Sequence, residues 1–265
     1  MSLVLHLSDT HFGVERGEVV LALLKLADEQ RPDVAVLSGD VTQRGRREEF
    51  AAARRFIDAL TARRKLVLPG NHDIPLFDLG RRLFAPYWNH RRAFGPELEP
   101  EHEDEQLLIL GIRTTRRYRH VDGTVSAAQV RRSSQRLRGS RARLKLVVTH
   151  QPVHVQSAVD HHNLLRGRET ALRGWSAAGA DLILGGHIHL PFVAPLRSIH
   201  GLPREVWAVQ AGTAVSQRTR PGAPNSVNLI RLDDHTGQCR VERWDFDASS
   251  AAFACATATD VALDR

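Results

Sequence analysis

The sequence predicts an α/β protein, and three observations point there. Short apolar runs alternate with amphipathic stretches for most of the 265 residues, as strands alternate with helices in that class. Each run is bounded by turn residues such as Gly, Asp, Asn or Pro. Past residue 205 the alternation gives way to runs linked by turns, which predicts a second sheet built partly from antiparallel strands.

In chain order, the predicted strands are 3–7, 34–38, 66–68, 107–111, 144–149 and 182–184, followed by 205–210, 226–232 and 240–246. Helices are predicted at 18–28, 46–60, 126–137 and 169–178. In the second of these, Phe50, Ala53, Ile57 and Leu60 recur at helical spacing, so one face packs while the arginines face water. The acidic, proline-flanked segment 96–106 reads as a surface loop. No repeat or long linker divides the chain, so residues 1–247 are expected to form one domain. Residues 248–265, small and polar, are expected to be a peripheral, partly mobile tail.

With 42% hydrophobic and 25% charged residues, the composition is that of a soluble globular protein and excludes disorder as the main state. No apolar stretch approaches the roughly 20 residues of a membrane span. The apolar start lacks a basic flank and a cleavage site, so the protein is placed in the cytoplasm. Two cysteines, Cys239 and Cys255, exclude a disulfide scaffold and a cysteine-ligated zinc site. The net charge of +7 raises the question of a nucleic-acid partner. That partner is not favoured, because the arginines are spread along the chain with acidic company. The runs at 113–119 and 131–143 are the densest, and a solvated helix face explains them as well.

The chemistry lies directly after the strands. Five runs end in Asp9-Thr-His11, Gly39-Asp40, Gly70-Asn71-His72-Asp73, His150 and Gly185-Gly186-His187-Ile-His189. Sites in open α/β sheets form outside the carboxyl ends of strands, so these turns can converge. Asp9 with His11, and His187 with His189, form same-side pairs if their backbone is extended. Carboxylates and imidazoles suit manganese, iron, zinc or nickel. Gly39, Gly70 and Gly186 each precede a proposed ligand, where backbone must come close.

These blocks resemble the calcineurin-like metallophosphoesterases. The likeness is closer to the bacterial branch related to class III cyclic-nucleotide phosphodiesterases, through Gly39-Asp-Val-Thr-Gln-Arg-Gly45, Pro69-Gly-Asn-His-Asp73, Gly212-Thr-Ala-Val-Ser216 and Pro224-Asn-Ser226. The resemblance implies a four-layer αββα fold, a two-sheet β-sandwich flanked by helices, with two divalent or mixed-valence metal ions at one edge. It makes Asp9, His11, Asp40 and His189 ligands of one ion, and Asp40, Asn71, His150 and His187 ligands of the other. His72 is then a catalytic residue facing substrate, and Asp73 its candidate orienting partner. Arg44, Arg116, His161 and His162 are the candidate substrate contacts. Gln43 stands where many relatives carry an acid.

The expected activity is hydrolysis of a small-molecule phosphodiester, 3',5'-cyclic nucleotides being one example, by attack of a metal-bridging hydroxide. His72 would protonate the leaving oxygen. The alternatives are a nuclease, a phosphomonoesterase or a nucleotide-sugar or lipid pyrophosphate hydrolase of the same superfamily, or a non-enzymatic basic nucleic-acid-binding protein. Oligomeric state is left open, a homodimer included.

Overall fold

The side chains of the first strand already divide the molecule into layers. Leu3, Leu5 and Leu7 join the cluster beneath the first two helices, whereas Val4 on the opposite face joins the apolar core between two sheets. The computed structural model describes residues 2–119, 121–233 and 235–264. Met1 and Arg265, the outer ends of the expected domain and tail, lie outside them.

The strands are β1 (Ser2–Leu7), β2 (Val34–Leu37), β3 (Arg64–Val67), β4 (Glu101–Glu103), β5 (Leu107–Gly111), β6 (Leu144–Val148), β7 (Leu182–Gly185), β8 (Phe192–Pro195), β9 (Trp207–Gln210), β10 (Ser226–Leu232), β11 (Cys239–Asp247) and β12 (Ala252–Val261). The helices are α1 (Gly17–Gln30), α2 (Arg47–Ala59), α3 (Leu79–Phe84), α4 (Trp88–Phe94), α5 (Ala127–Gly139), α6 (Arg168–Ala177) and α7 (Arg197–His200), with a 3₁₀ turn at Ala158–Asn163. One sheet runs β12-β11-β10-β1-β2-β3 and the other β4-β5-β6-β7-β9-β8. They face each other across Val36, Ile109, Val148, Leu184 and Ile230. Helices α1 and α2 cover the outer face of the first sheet, and α5 and α6 that of the second. This is the expected four-layer αββα sandwich.

The tail strands correct the sequence reading. They do not build a sheet of their own: β9 adds parallel to β7, while β10 adds antiparallel to β1. The segment expected as a mobile tail forms β12, paired with β11 from Cys239↔Val261 to Asp247↔Ala252. Its two inward anchors, Phe253 and Val261, are buried. In a strand with so few apolar positions, small residues concealed the alternation. The segment at 96–106 likewise contains a short strand, β4, antiparallel to β5. Its acids answer the arginines of α5: Arg132 meets Glu99 at 2.9 Å, and Arg136 meets Glu101 at 3.1 Å and Glu103 at 2.8 Å. The 131–143 run is thus partly neutralised by the chain itself.

What matters for function is direction. Strands β1, β2 and β3 are mutually parallel, as are β5, β6, β7 and β9. The turns after β1, β2, β3, β6 and β7 carry the five histidine and carboxylate blocks, contributed by both sheets.

Candidate metal centre

The side chains of those five turns meet. Three groups of potential ligand atoms lie within 4.8 Å of one another: Asp9, His11 and His189; His11, Asp40 and His72; and Asp40, His150 and His187. His11 links the first group to the second and Asp40 the second to the third, with Asp40 Oδ1 3.3 Å from His150 Nε2 and Oδ2 3.8 Å from His11 Nε2. Asn71 Oδ1 is 3.0 Å from His150 Nε2. The structure therefore gathers Asp9, His11, Asp40, Asn71, His150, His187 and His189, far apart in sequence, around the shared carboxylate of Asp40.

How the backbone turns them inward differs from the sequence expectation. Asp9, His11, Asp40, His187 and His189 all have positive φ, between 43° and 74°. The two Asp-x-His and His-x-His pairs therefore converge through left-handed turns beyond the strand ends, not through extended alternation. Non-glycine residues adopt this conformation at a cost of about 1–3 kcal/mol each, and such strain clusters at functional sites. Hydrogen bonds hold the turns: Asp9 N–H donates to Gly39 O, His11 N–H to Asp40 O, His187 N–H to Asp9 Oδ2 and His72 N–H to Asp40 Oδ1. A Cβ at Gly70 would meet the backbone nitrogen of Asp40, and one at Gly39 would meet the ring of His150.

The imidazole atoms facing the centre are acceptors when the rings are neutral. The Nδ1 of His150 lies 3.0 Å from Ser38 O and that of His189 2.5 Å from Arg218 O, while His187 Nε2 lies 3.2 Å from Asn163 Oδ1. Each of those nitrogens carries a proton to donate to its oxygen, so in the neutral ring the other nitrogen offers a lone pair. His189 Nε2 then sits 3.1 Å from His11 Nε2, and His150 Nε2 faces the carbonyl oxygen of Asn71. Asp9 Oδ1 is buried, and its nearest imidazole nitrogen is His189 Nε2 at 3.2 Å. Neutral imidazole nitrogens directed at one another beside two buried carboxylates suit a cation. The donor set of imidazole, carboxylate and amide oxygen fits two borderline divalent ions.

The electrostatics agree. Burial would raise the pKa of Asp40, but His150, then His72 and His11, outweigh it and hold the carboxyl well below its ordinary range. Asp9 is likewise lowered, burial being outweighed chiefly by His189. Burial pushes His11 and His187 down to about 3, so both are neutral, as ligands must be. Burial also acts to lower His150, yet Asp40 raises it to about 9. A divalent cation on Asp40 would cancel that attraction and return His150 to the neutral form.

His72 lies on the open side. Its Nδ1 is 2.8 Å from Gln43 O, its Nε2 is 3.1 Å from Arg218 Nη1, and its ring stands edge-on to His11 at 4.9 Å. Asp73 is not its orienting partner. That carboxylate accepts from the N–H groups of Val41, Thr42 and Gly70 and from the Thr42 hydroxyl. It ties the turn after β2 to the turn after β3 and is a positioning residue. Burial and the charge of Asp40 raise its pKa to about 7, against the pull of these donors.

The expected substrate contacts fare less well. Arg116 is turned away: its guanidinium donates to the carbonyls of Arg113 and Thr115 and to Gln129, in a cleft that contains none of the ligand residues. Arg44 extends from the rim over the Phe77 ring, 5.8 Å from its centroid. His161 and His162 are exposed on the 3₁₀ turn, and it is the next residue, Asn163, that reaches His187. Sequence reasoning missed Asn163 and also Arg218. The latter supplies its carbonyl to His189 and its guanidinium to His72 and Gln43. The available signal was position, between the Ser216 and Pro224 blocks. Arg220 anchors the loop through Nη1, which donates to both carboxylate oxygens of buried Asp160, at 2.9 and 3.0 Å.

Comparison with known proteins agrees with this geometry. The family model described as calcineurin-like phosphoesterase matches residues 2–191. A glycerophosphodiester phosphodiesterase, GpdQ, of Enterobacter lignolyticus (strain SCF1) is 38% identical over 84 residues, a match spanning 27% of this chain and 29% of that protein. Among solved structures, the purple acid phosphatase PPD1 of yellow lupin (Lupinus luteus) superposes with a TM-score of 0.75 at 12% identity, covering 99% of this chain and 54% of that one. The structure of PhoD superposes at 0.73 with 11% identity, covering 99% and 70%. These two share the fold. With its five histidine- and carboxylate-bearing turns inside the matched region, this chain belongs to the calcineurin-like phosphoesterases.

Proposed function

We propose that the chain is a phosphodiesterase working with two divalent cations, of manganese, iron, zinc or nickel. The observation that carries the reading is Asp40, whose two oxygens face separate groups of acceptor atoms. Asp9, His11, Asp40 and His189 would hold one cation, and Asp40, Asn71, His150 and His187 the other. When bound, such a pair supplies an activated water and neutralises phosphoryl charge. With only Asp9 and Asp40 as anionic ligands, the remaining neutral imidazoles and amide leave net positive charge for an anionic ester.

The protein's own groups divide the rest of the work. Arg218, on the open side, faces the phosphoryl oxygens. With Gln43 O holding the ring through Nδ1–H, His72 in its doubly protonated form, Arg218 having turned from Nε2 to the phosphoryl oxygens, would pass the Nε2 proton to the departing alkoxide and be left neutral. Any phosphoester with an alkoxide leaving group suits this arrangement, because that group needs the proton. The relative named as a glycerophosphodiester phosphodiesterase supports a small diester, and the Gly39–Gly45 block supports cyclic nucleotides.

The test is a substrate panel assayed with added manganese: bis(p-nitrophenyl) phosphate, 3',5'-cyclic AMP, glycerophosphocholine, p-nitrophenyl phosphate, a nucleotide diphosphate sugar and single-stranded DNA. Diesters should lead, and Asp40→Ala should lose both bound metal and turnover, by roughly 10³-fold or more. Preference for the monoester would remove the diester assignment, and full turnover in Asp40→Ala would remove the mechanism.

A further inference from the structure

Beside the metal centre the chain exposes an apolar face that its own fold leaves unpartnered. Phe77, Phe84, Trp88 and Tyr118 are 74%, 84%, 58% and 72% exposed, and Leu79 and Leu83 join them. Helix α3 buries none of its residues. The surface is continuous: Phe84, Trp88 and Tyr118 line one cleft of about 580 Å³, and Arg117 Nη1 donates to Leu83 O. At the other end Leu76, Phe77 and Arg81 share a groove with Arg44, the neighbour of the Gln43 that holds His72. Solvent-exposed aromatic and leucine side chains in this number, grouped on one face, mark an interaction surface.

Charge identifies the partner. Arg44, Arg81, Arg91, Arg92 and Arg117 line the grooves around these side chains and, with their arginine neighbours, outnumber the acids there, Glu48, Asp78, Glu97 and Glu99. Asp78 pairs with Arg81 at 3.4 Å, and among the described residues no carboxylate pairs with Arg91 or Arg92. A two-fold contact with a second copy would set this basic face against itself, since an isologous interface brings the same patch together. Apolar side chains that protrude, flanked by long cationic ones that can snorkel, suit the acyl and headgroup boundary of a bilayer.

We propose that this face docks the protein on an anionic lipid surface. Docking there brings the open side of the metal centre, through Arg44 and Gln43, next to the lipid headgroups. The proposal concerns binding and stands apart from the diesterase reading.

The full chain is sedimented with vesicles of phosphatidylcholine alone and of phosphatidylcholine with phosphatidylglycerol, at low and high salt. Binding is expected to the anionic vesicles and to fall as salt rises. Phe77→Ser and Phe84→Ser should each weaken it by about tenfold. Arg91→Glu with Arg92→Glu should do the same without changing the circular dichroism spectrum or the turnover of bis(p-nitrophenyl) phosphate. Quenching of wild-type tryptophan fluorescence by brominated lipid gives a reading independent of the variants, with Trp88 as the reporter. Absence of low-salt binding and quenching by the wild-type protein overturns the proposal. So does a solution dimer that Phe77→Ser or Phe84→Ser dissociates, because the face is then a contact between copies.

Discussion

His90 and His150 are both withdrawn from water, and their surroundings differ in kind. His90, on α4, lies between the rings of Phe50 and Phe94, and neither of its nitrogens has a partner among the described residues. His150 is held by Ser38 O on one side and directs its other nitrogen at Asn71 and Asp40. Burial alone therefore does not distinguish a ligand from a packed side chain. Convergence on a carboxylate does, together with an outer partner that decides which nitrogen is free. The difference also shows in the backbone, since left-handed turns accumulate around the centre and α4 is an ordinary helix.

The largest effect on this contrast should come from a single methyl group. In Gly70→Ala the new Cβ would fall on the backbone nitrogen and carboxylate of Asp40, which neighbouring turns hold rigidly. We expect loss of bound metal and of diester turnover, with stability reduced by about 3 kcal/mol. Gly139→Ala, where a Cβ meets nothing within 4 Å, is the matched control and should leave both unchanged. Metal analysis and thermal melts check the pair; a fully active Gly70→Ala would mean that the turn after β3 need not approach Asp40 as closely as the structure has it.

A smaller, more selective effect is expected from His72→Ala. His72 shares a ligand-distance group with His11 and Asp40, yet its Nδ1 is engaged by Gln43 and its Nε2 by Arg218. If it acts on the leaving group, kcat for an alkyl diester such as glycerophosphocholine should fall by roughly 10²- to 10⁴-fold with metal content intact, and that for bis(p-nitrophenyl) phosphate, whose phenolate needs no proton, by much less. Loss of one metal equivalent instead would place His72 among the ligands.

The same contrast explains how much could be read from the sequence. Metal-ligating side chains come from a few residue types and in such folds follow strands. Asp9 through His189 meet both conditions, and Asp40, Asn71 and His187 also stand directly after glycines that permit close backbone approach, so the candidate centre was legible in the sequence. Substrate-side residues obey no such rule. Arg116, His161 and His162 are chemically plausible, but one guanidinium is consumed by local carbonyls and the two imidazoles sit on a turn facing water. Arg218 was invisible because its role depends on how the loop after Ser216 folds back over His189. The fold followed a similar division. Alternation and helical spacing exposed the central strands and the long helices, whereas β12, with small residues at most positions, and the six-residue α3 offered too little periodicity. The left-handed turns were missed because Asp and His are not residues whose type demands positive φ.

The smallest expected effect tests the other side of the comparison. Burial pushes the pKa of His90 from 6.5 down to about 3, with a lesser contribution from Arg91. The unfolded chain thus takes up the proton first. The contribution of this neutral imidazole to stability is complete above about pH 6.5 and is lost as pH falls toward about 3, by at most about 1.4 kcal/mol per pH unit. His90→Leu removes the titrating group and also two buried nitrogens without partners, at nearly constant volume. Urea melts at pH 7 should show equal or greater stability, by about 1 kcal/mol, and melts at pH 5 a wider gap over the wild-type protein. Bound metal and diester turnover should not change. A gap that fails to widen on acidification would mean that His90 finds a proton partner in solution, and that its packing between two phenylalanines is less complete than its 5.3 Å approach to Phe94 implies.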